Sequence, residues 1–213
     1  WKAMIADEAA RTTFAKNIKT VLEKNKLDGI DLDFEWAENE KEYKDYSLAI
    51  LKMREVLGNK YLFSVSLHPV CYKISKEAIE AVDFISLQCY GPSPVRFPIE
   101  KYCSDIQMVL EYGIPKEKLV AGVPFYGVTK DNSKKTEAYF NFVQDGLITS
   151  PSQNEVIYQG DTYVFDGQDN IRIKTRYAKE QKLKGMMSWD LATDLPLNDS
   201  KSLLKTMTEE LRK

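Results

Sequence analysis

Strand-like and helix-like segments alternate along this chain, and that alternation restricts its possible folds more than any other feature of the sequence. The helix-like segments repeat apolar residues at intervals of three and four, as Tyr43, Tyr46, Ile50 and Met53 do. Because strands that are separated by helices pair in parallel, the pattern predicts an α/β fold with a parallel sheet. We predict five strands of this kind, at residues 29–36, 61–67, 84–90, 119–126 and 185–189.

The interval between the fourth and the fifth predicted strand is much longer than the other intervals. Two strand-like segments in it, residues 156–158 and 162–165, flank Gly160 and Asp161, a pair that is typical of a hairpin turn. We therefore predict a small hairpin insertion between the last two strands, within an α+β segment at residues 128–170.

Composition excludes several classes of protein. Among 213 residues, 30 Lys and Arg stand against 32 Asp and Glu, and the net charge of −2 argues against nucleic acid or an anionic membrane as the main partner. No apolar run approaches the ~20 residues that are needed to span a bilayer. The single histidine and the three cysteines form no metal-binding or disulfide pattern, and no glycine-rich phosphate loop follows a predicted strand.

Three carboxylates, Asp31, Asp33 and Glu35, occupy alternate positions of the first predicted strand. Side chains two residues apart in a strand point to one face, so we expect these three together, with Leu32 and Phe34 packed on the other face. In a parallel barrel, polar groups near the carboxyl end of a strand lie where active sites form. We therefore expect the carboxylates to point into an enclosed hollow, where their crowding keeps a proton on the set for general acid catalysis.

An alternative interpretation is a solvent-facing edge strand that merely carries acidic residues. The apolar residues between the acids are more typical of a central strand, and three aligned acids repel one another. Burying them without a function would cost several kcal/mol. We therefore favour the functional interpretation.

The stretch Asp28-Gly29-Ile30-Asp31-Leu32-Asp33-Phe34-Glu35 resembles the DxxDxDxE signature of family 18 glycoside hydrolases, the chitinases and endo-β-N-acetylglucosaminidases. Four other segments resemble family motifs in the same order along nearly the whole chain. Residues 3–10 resemble the segment after the family's third strand, and Gln88-Cys89-Tyr90-Gly91 resembles Met-x-Tyr-Asp or Gln-x-Tyr-Asn. Residues 122–127 resemble GxPxYG, and residues 185–194 resemble GxMxWxxxxD.

The resemblance implies a (β/α)8 TIM barrel. Residues 1–213 would form a partial catalytic domain with strands 4 to 8 of this barrel, and residues 128–170 would be the insertion between its last two strands. Because such a barrel typically needs ~250 residues, we expect the natural protein to be longer and this chain to be its C-terminal five-eighths. We also expect a secreted, periplasmic or cell-surface location.

The resemblance also implies catalytic roles. Glu35 would protonate the glycosidic oxygen, and Asp33 would hold the substrate's 2-acetamido group, whose carbonyl oxygen acts as the nucleophile. Asp31 would pair with Asp33 and share a proton, and Tyr90 would hydrogen-bond the same acetamido group. Residues 119–126 contain no Asp or Glu to act as a protein nucleophile, which fits this substrate-assisted chemistry.

Four further residues are predicted to bind substrate. Trp189 would form the aromatic floor under the sugar at the cleavage point, and Trp36, where the family prefers tyrosine, would add an aromatic wall. Gln88 and Tyr126 belong to two of the matching motifs and complete the predicted set.

The predicted reaction is hydrolysis of a β-1,4 bond next to N-acetylglucosamine, with retention and through an oxazolinium ion. It needs no metal ion and no organic cofactor, and its partner is an oligosaccharide or polysaccharide that contains N-acetylglucosamine. The alternative is a lectin-like binder of the same fold without turnover. The presence of Glu35 favours the enzyme, whereas Gly91, where the family has Asp or Asn, favours the binder.

Overall fold

The computed structural model describes residues 1–213. Its helices are α1 (Lys2–Ala6), α2 (Glu8–Asn25), α3 (Glu40–Leu57), α4 (Lys76–Ala81), α5 (Ile99–Tyr112), α6 (Tyr139–Gln144), α7 (Gln168–Glu180) and α8 (Leu203–Arg212). Its strands are β1 (Gly29–Asp33), β2 (Leu62–Leu67), β3 (Phe84–Leu87), β4 (Leu119–Pro124), β5 (Tyr126–Thr129), β6 (Thr136–Ala138), β7 (Glu155–Tyr158), β8 (Asp161–Val164) and β9 (Gly185–Trp189). Short 3₁₀ helices cover Pro94–Arg96 and Leu191–Thr193.

The chain divides into two compact units. The first comprises Trp1–Leu87 and Val109–Leu119, and the second comprises Gln88–Met108 and Val120–Lys213. Helix α5 therefore contributes residues to both units.

Strands β1, β2 and β3 of the first unit pair in parallel in that order. The register places Asp31 opposite Ser64 and Asp33 opposite Ser66. β1 pairs only with β2 and is thus the edge of this ladder. The parallel pairing that we predicted from the alternation of strands and helices is confirmed here.

The helix ends of the first unit follow from local side-chain chemistry. The side chain of Asp7 accepts a hydrogen bond from the backbone N–H of Ala10 at the start of α2, as the sequence predicts. Asn39 and Ser75 cap α3 and α4 in the same way. Gly58 ends α3 with a φ of 61°, a conformation that glycine adopts without steric cost.

In the second unit, β4 and β9 pair in parallel, with Pro124 opposite Trp189. The predicted strand at residues 119–126 ends at Pro124, and Tyr126 begins β5. β5 belongs to a four-stranded antiparallel sheet of order β6-β5-β8-β7. The predicted hairpin is present as β7 and β8, but its sheet also includes β5 and β6 and is larger than a hairpin.

The three cysteines are free, and Cys71 and Cys89 are buried. None of the helices combines the length and the apolar character that crossing a membrane would require.

Candidate active site

The carboxylate sequence of the first unit spans the end of β1. Asp31 and Asp33 lie in the strand, and Glu35 follows two residues after it, so the strand is three residues shorter than predicted. Leu32 and Phe34 are each 3% exposed, whereas Asp31, Asp33 and Glu35 are exposed. The predicted alternation of apolar and acidic faces is therefore confirmed.

The expectation of an enclosed hollow is wrong for this chain. All three carboxylates are exposed, and their strand forms the edge of its ladder. Water can solvate the charges there, so the cost of burying them does not arise. The solvent-facing edge strand, which we disfavoured from the sequence, therefore describes the surroundings of β1. It does not explain how the acids are held.

Two serines of β2 hold Asp31. Ser64 Oγ donates to Asp31 Oδ1 at 2.6 Å, and Ser66 Oγ donates to Asp31 Oδ2 at 2.8 Å. The two serines are two residues apart and so share the face on which Asp31 lies. Both oxygens of this carboxylate accept hydrogen bonds, which fixes its plane. Sequence reasoning missed these serines, although their alternation with Phe63, Val65 and Leu67 was a visible signal.

Helix α3 supports the apolar face of β1. The Tyr46 and Phe34 ring centroids are 5.1 Å apart, and the Tyr46 hydroxyl donates to the carbonyl oxygen of Leu32 at 3.1 Å. Burial, and then the charges of Asp31 and Asp33, raise the pKa of Tyr46 well above its usual value. The hydroxyl therefore stays protonated and keeps its hydrogen bond to the strand.

The segment after Glu35 packs against the end of β2. The Trp36 and His68 ring centroids are 4.7 Å apart in an edge-on contact, and His68 Nδ1 accepts from the Val70 N–H at 3.2 Å. The Ala37 N–H donates to Cys71 Sγ at 3.1 Å. His68 is 8% exposed, so its ring is packed in place and supports Trp36.

Two tyrosines of the predicted site lie in the second unit and are buried there. Tyr90 is 7% and Tyr126 is 9% exposed, and their ring centroids are 6.5 Å apart. The Tyr90 hydroxyl donates to Met187 Sδ at 3.6 Å, and the Tyr126 hydroxyl donates to the Gly91 carbonyl at 3.2 Å. Burial raises the pKa of Tyr126, which keeps its hydroxyl a donor. Gln88 is also buried.

Trp189 stands at the end of β9 beside a cavity of about 400 Å³. It is 56% exposed, which is unusual for so large an apolar side chain. The volume lies within the ~300–1,000 Å³ of small-molecule sites. The residues that line the cavity include Tyr126, Thr136, Glu137, Trp189, Asp190 and Thr193.

Sequence reasoning missed Glu137, which lies in the predicted insertion and in none of the matching motifs. Its Oε1 accepts from the Ala138 N–H at 2.8 Å and from Asn141 Nδ2 at 2.6 Å. Asp190, another lining residue, caps a 3₁₀ helix by accepting from the Thr193 N–H at 3.2 Å. Both carboxylates are thus oriented by the chain itself.

Asp194, the last residue of the GxMxWxxxxD match, has a structural task. It is 8% exposed and accepts from Ser202 Oγ and from the backbone N–H groups of Leu203 and Leu204, at the start of α8. The motif therefore ends in a helix cap.

The predicted residues divide between the two units. Asp31, Asp33, Glu35 and Trp36 belong to the first unit, and a second group belongs to the second unit: Gln88, Tyr90, Tyr126 and Trp189. No group of three or more histidine, cysteine, aspartate or glutamate side chains is arranged to hold a metal ion.

Comparison with known proteins agrees with this arrangement of motifs. The sequence profile described as "Glycosyl hydrolases family 18" matches residues 1–194. Probable chitinase 2 of Drosophila melanogaster is 23% identical over 258 residues, an alignment that covers 91% of this chain and 53% of that protein. Across the first three curated relatives, the chain spans 53%, 65% and 39% of their length.

Solved structures resemble the chain over nearly all its length. The GH18 chitinase ChiB of Flavobacterium johnsoniae is 27% identical with a TM-score of 0.81, and the match covers 99% of this chain and 68% of that one. The chitinase-like agglutinin RobpsCRA of Robinia pseudoacacia is 18% identical with a TM-score of 0.80, covering 98% and 75%. The second likeness shows a shared fold alone.

Proposed function

Because the chain belongs to glycosyl hydrolase family 18, we propose that it is a glycosidase that cleaves β-1,4 bonds next to N-acetylglucosamine. The substrates are chitin-type oligosaccharides or related glycans, and cleavage retains the configuration of the anomeric carbon. One observation carries the proposal: the side chains of Asp31 and Asp33 extend from one face of β1, and Glu35 follows at the carboxyl end of the strand. Enzymes with parallel strands of this kind carry their chemistry at that end.

In the proposed reaction, Glu35 donates its proton to the glycosidic oxygen as the bond to the anomeric carbon breaks. The carbonyl oxygen of the substrate's 2-acetamido group attacks that carbon and forms an oxazolinium ion. Asp33 accepts a hydrogen bond from the acetamido N–H and so orients the nucleophile. Water then attacks the anomeric carbon and passes a proton to the Glu35 carboxylate, which restores the acid and gives retention.

Asp31 supports Asp33 from the preceding position on the same face of the strand. The hydroxyls of Ser64 and Ser66 saturate one acceptor site on each oxygen of Asp31 and hold it in place. A carboxylate that is fixed in this way costs no further ordering when substrate binds, which is the benefit of preorganisation.

Residues of the second unit are proposed to bind the sugar. The exposed indole of Trp189 offers an apolar surface on which the ring can stack. Tyr90 donates a hydrogen bond to the acetamido group, Gln88 and Tyr126 add contacts, and Trp36 of the first unit provides an aromatic wall.

We also propose that the parallel strands correspond to strands 4 to 8 of an eight-stranded barrel, with residues 128–170 inserted between the last two. The likeness to ChiB over 99% of this chain supports this assignment. A secreted, periplasmic or cell-surface location follows from the same proposal, since polymeric chitin lies outside the cell.

The second candidate function is a lectin-like binder without turnover. Two observations favour it: Gly91 stands where an acidic or amide side chain is expected, and the fold is shared with a chitinase-like agglutinin. The presence of Glu35 is the reason to prefer the enzyme.

Hydrolysis of a fluorogenic di-N-acetylchitobioside by the full chain separates the two candidates. Glu35→Gln should lower kcat by about 10²- to 10⁴-fold, the usual contribution of a general acid. Glu209→Gln is the matched control, because Glu209 is also exposed and lies in α8. A cellobioside, which lacks the acetamido group, should not be cleaved.

Undiminished hydrolysis by Glu35→Gln would contradict the assignment of the acid. Binding of chitobioside without hydrolysis by the unmodified chain would favour the lectin.

A further inference from the structure

The cavity beside Trp189 contains a carboxylate that the proposed reaction does not use. We propose that Glu137 determines the specificity of this cavity for a neutral sugar: it accepts a hydrogen bond from a hydroxyl of the ring that stacks on Trp189, and it repels acidic sugars. This inference rests on the proposed function, and it narrows the substrate class to uncharged N-acetylglucosamine units at this position.

The first argument is the state of the Glu137 carboxylate. Its Oε1 is engaged by the Ala138 N–H and by Asn141 Nδ2, while Oε2 accepts no hydrogen bond from the chain. Glu137 forms no ion pair, and the neighbouring Lys135 is committed to Asp161 at 2.6 Å. One oxygen is therefore an oriented acceptor in a residue that lines the cavity.

The second argument is the chemistry of the cavity as a whole. Trp189 and Tyr126 supply aromatic surface, and Thr136 and Thr193 supply hydroxyls. A pyranose ring has apolar faces and a rim of hydroxyl groups, so it can stack on an indole while its rim donates to a carboxylate.

The third argument is charge. The lining contains two carboxylates, those of Glu137 and Asp190, and no lysine, arginine or histidine. A ligand carboxylate in this cavity would face like charges with no cation to compensate, which is how a binding site rejects a competitor. A uronic acid or a sugar with a carboxylate-bearing ether is therefore disfavoured, and a neutral sugar is accepted.

The test measures binding by calorimetry in the Glu35→Gln background, so that hydrolysis does not interfere. The two probes are tri-N-acetylchitotriose and its derivative with C6 oxidised to a carboxylate. Glu137→Gln should weaken binding of the neutral trisaccharide about 10-fold, the lower end for a hydrogen bond to a charged group at a half-buried position. The same substitution should strengthen binding of the oxidised trisaccharide.

The two affinities change in opposite directions if Glu137 determines specificity, whereas structural damage would weaken the binding of both trisaccharides. Glu209→Gln should leave both affinities unchanged. Equal affinities of Glu137→Gln and its parent for both probes would overturn the inference while leaving the proposed hydrolysis intact. Absence of any chitotriose binding to the parent would overturn the inference and the proposed function together.

Discussion

Replacing Asp194 with alanine removes the carboxylate that accepts hydrogen bonds from the first two backbone N–H groups of α8. Asp194 Oδ1 accepts from the Leu203 N–H at 2.9 Å, and Oδ2 accepts from the Leu204 N–H at 2.8 Å and from Ser202 Oγ at 2.9 Å. The first N–H groups of a helix have no partner within the helix. Asp194 is the acceptor for those of Leu203 and Leu204, while Ser202 Oγ accepts from the Lys205 N–H.

The expected cost is about 3 kcal/mol of unfolding free energy, from two backbone hydrogen bonds to a charged group at roughly 1.5 kcal/mol each. Leu203 is 1% exposed, so water cannot replace the carboxylate at its N–H, whereas the half-buried Leu204 can recover part of its loss. The buried Ser202 hydroxyl also loses its acceptor, which adds to the loss. Asp194→Asn retains one acceptor oxygen and should lose about half as much.

Urea denaturation followed by circular dichroism measures the loss, and hydrogen exchange at the Leu203 and Leu204 amides locates it. Where unfolding shows two steps, the shift belongs to the step of the second unit, which contains α8. A loss below about 1 kcal/mol, or equal losses for alanine and asparagine, would refute the capping argument.

Two further predictions concern the first unit. Gly29→Ala should destabilise the chain by about 3 kcal/mol or more, because the added Cβ would lie 2.2 Å from the Leu62 carbonyl oxygen. Gly185→Ala is the control: its Cβ would have nothing within 4 Å, so it should be nearly neutral in the same urea assay. The second prediction concerns Asp83. Partial burial raises the pKa of this carboxyl, but the Phe63 N–H and the Arg54 guanidinium outweigh burial and hold the pKa below its usual value. The stabilisation is fully present above the unfolded pKa of about 3.9 and is lost as pH falls through the folded pKa, so Asp83→Asn should destabilise at neutral pH and destabilise progressively less as pH falls below about 4. A loss that does not change with pH would contradict this.

The prediction from sequence succeeded for features that neighbouring residues specify. The cap at Asp7, the hairpin at Gly160 and the alternating burial from Asp31 to Glu35 all depend on residues a few positions apart. The family motifs were also visible in the sequence, because each is a segment of a few neighbouring residues.

Helix α7 shows where local patterns fail. Its buried face contains Gln168, Lys174 and Thr175 beside Ile171 and Ala178, so it carries no clear apolar stripe. Lys174 is tolerated there because it pairs with buried Asp166 at 2.6 Å and donates to the Phe97 carbonyl at 2.9 Å. Such compensation comes from partners distant in the sequence and leaves no periodic signal.

The sequence alone determined which residues could do chemistry in this protein, because the types and spacing of Asp31, Asp33 and Glu35 are local properties of one strand. Only the tertiary structure decided how they are held and what surrounds them. Ser64 lies 33 positions from Asp31, and the parallel register of β1 and β2 brings the two together. The open face of β1 and the placement of Glu137 beside Trp189 likewise depend on packing between distant segments, which no local pattern encodes.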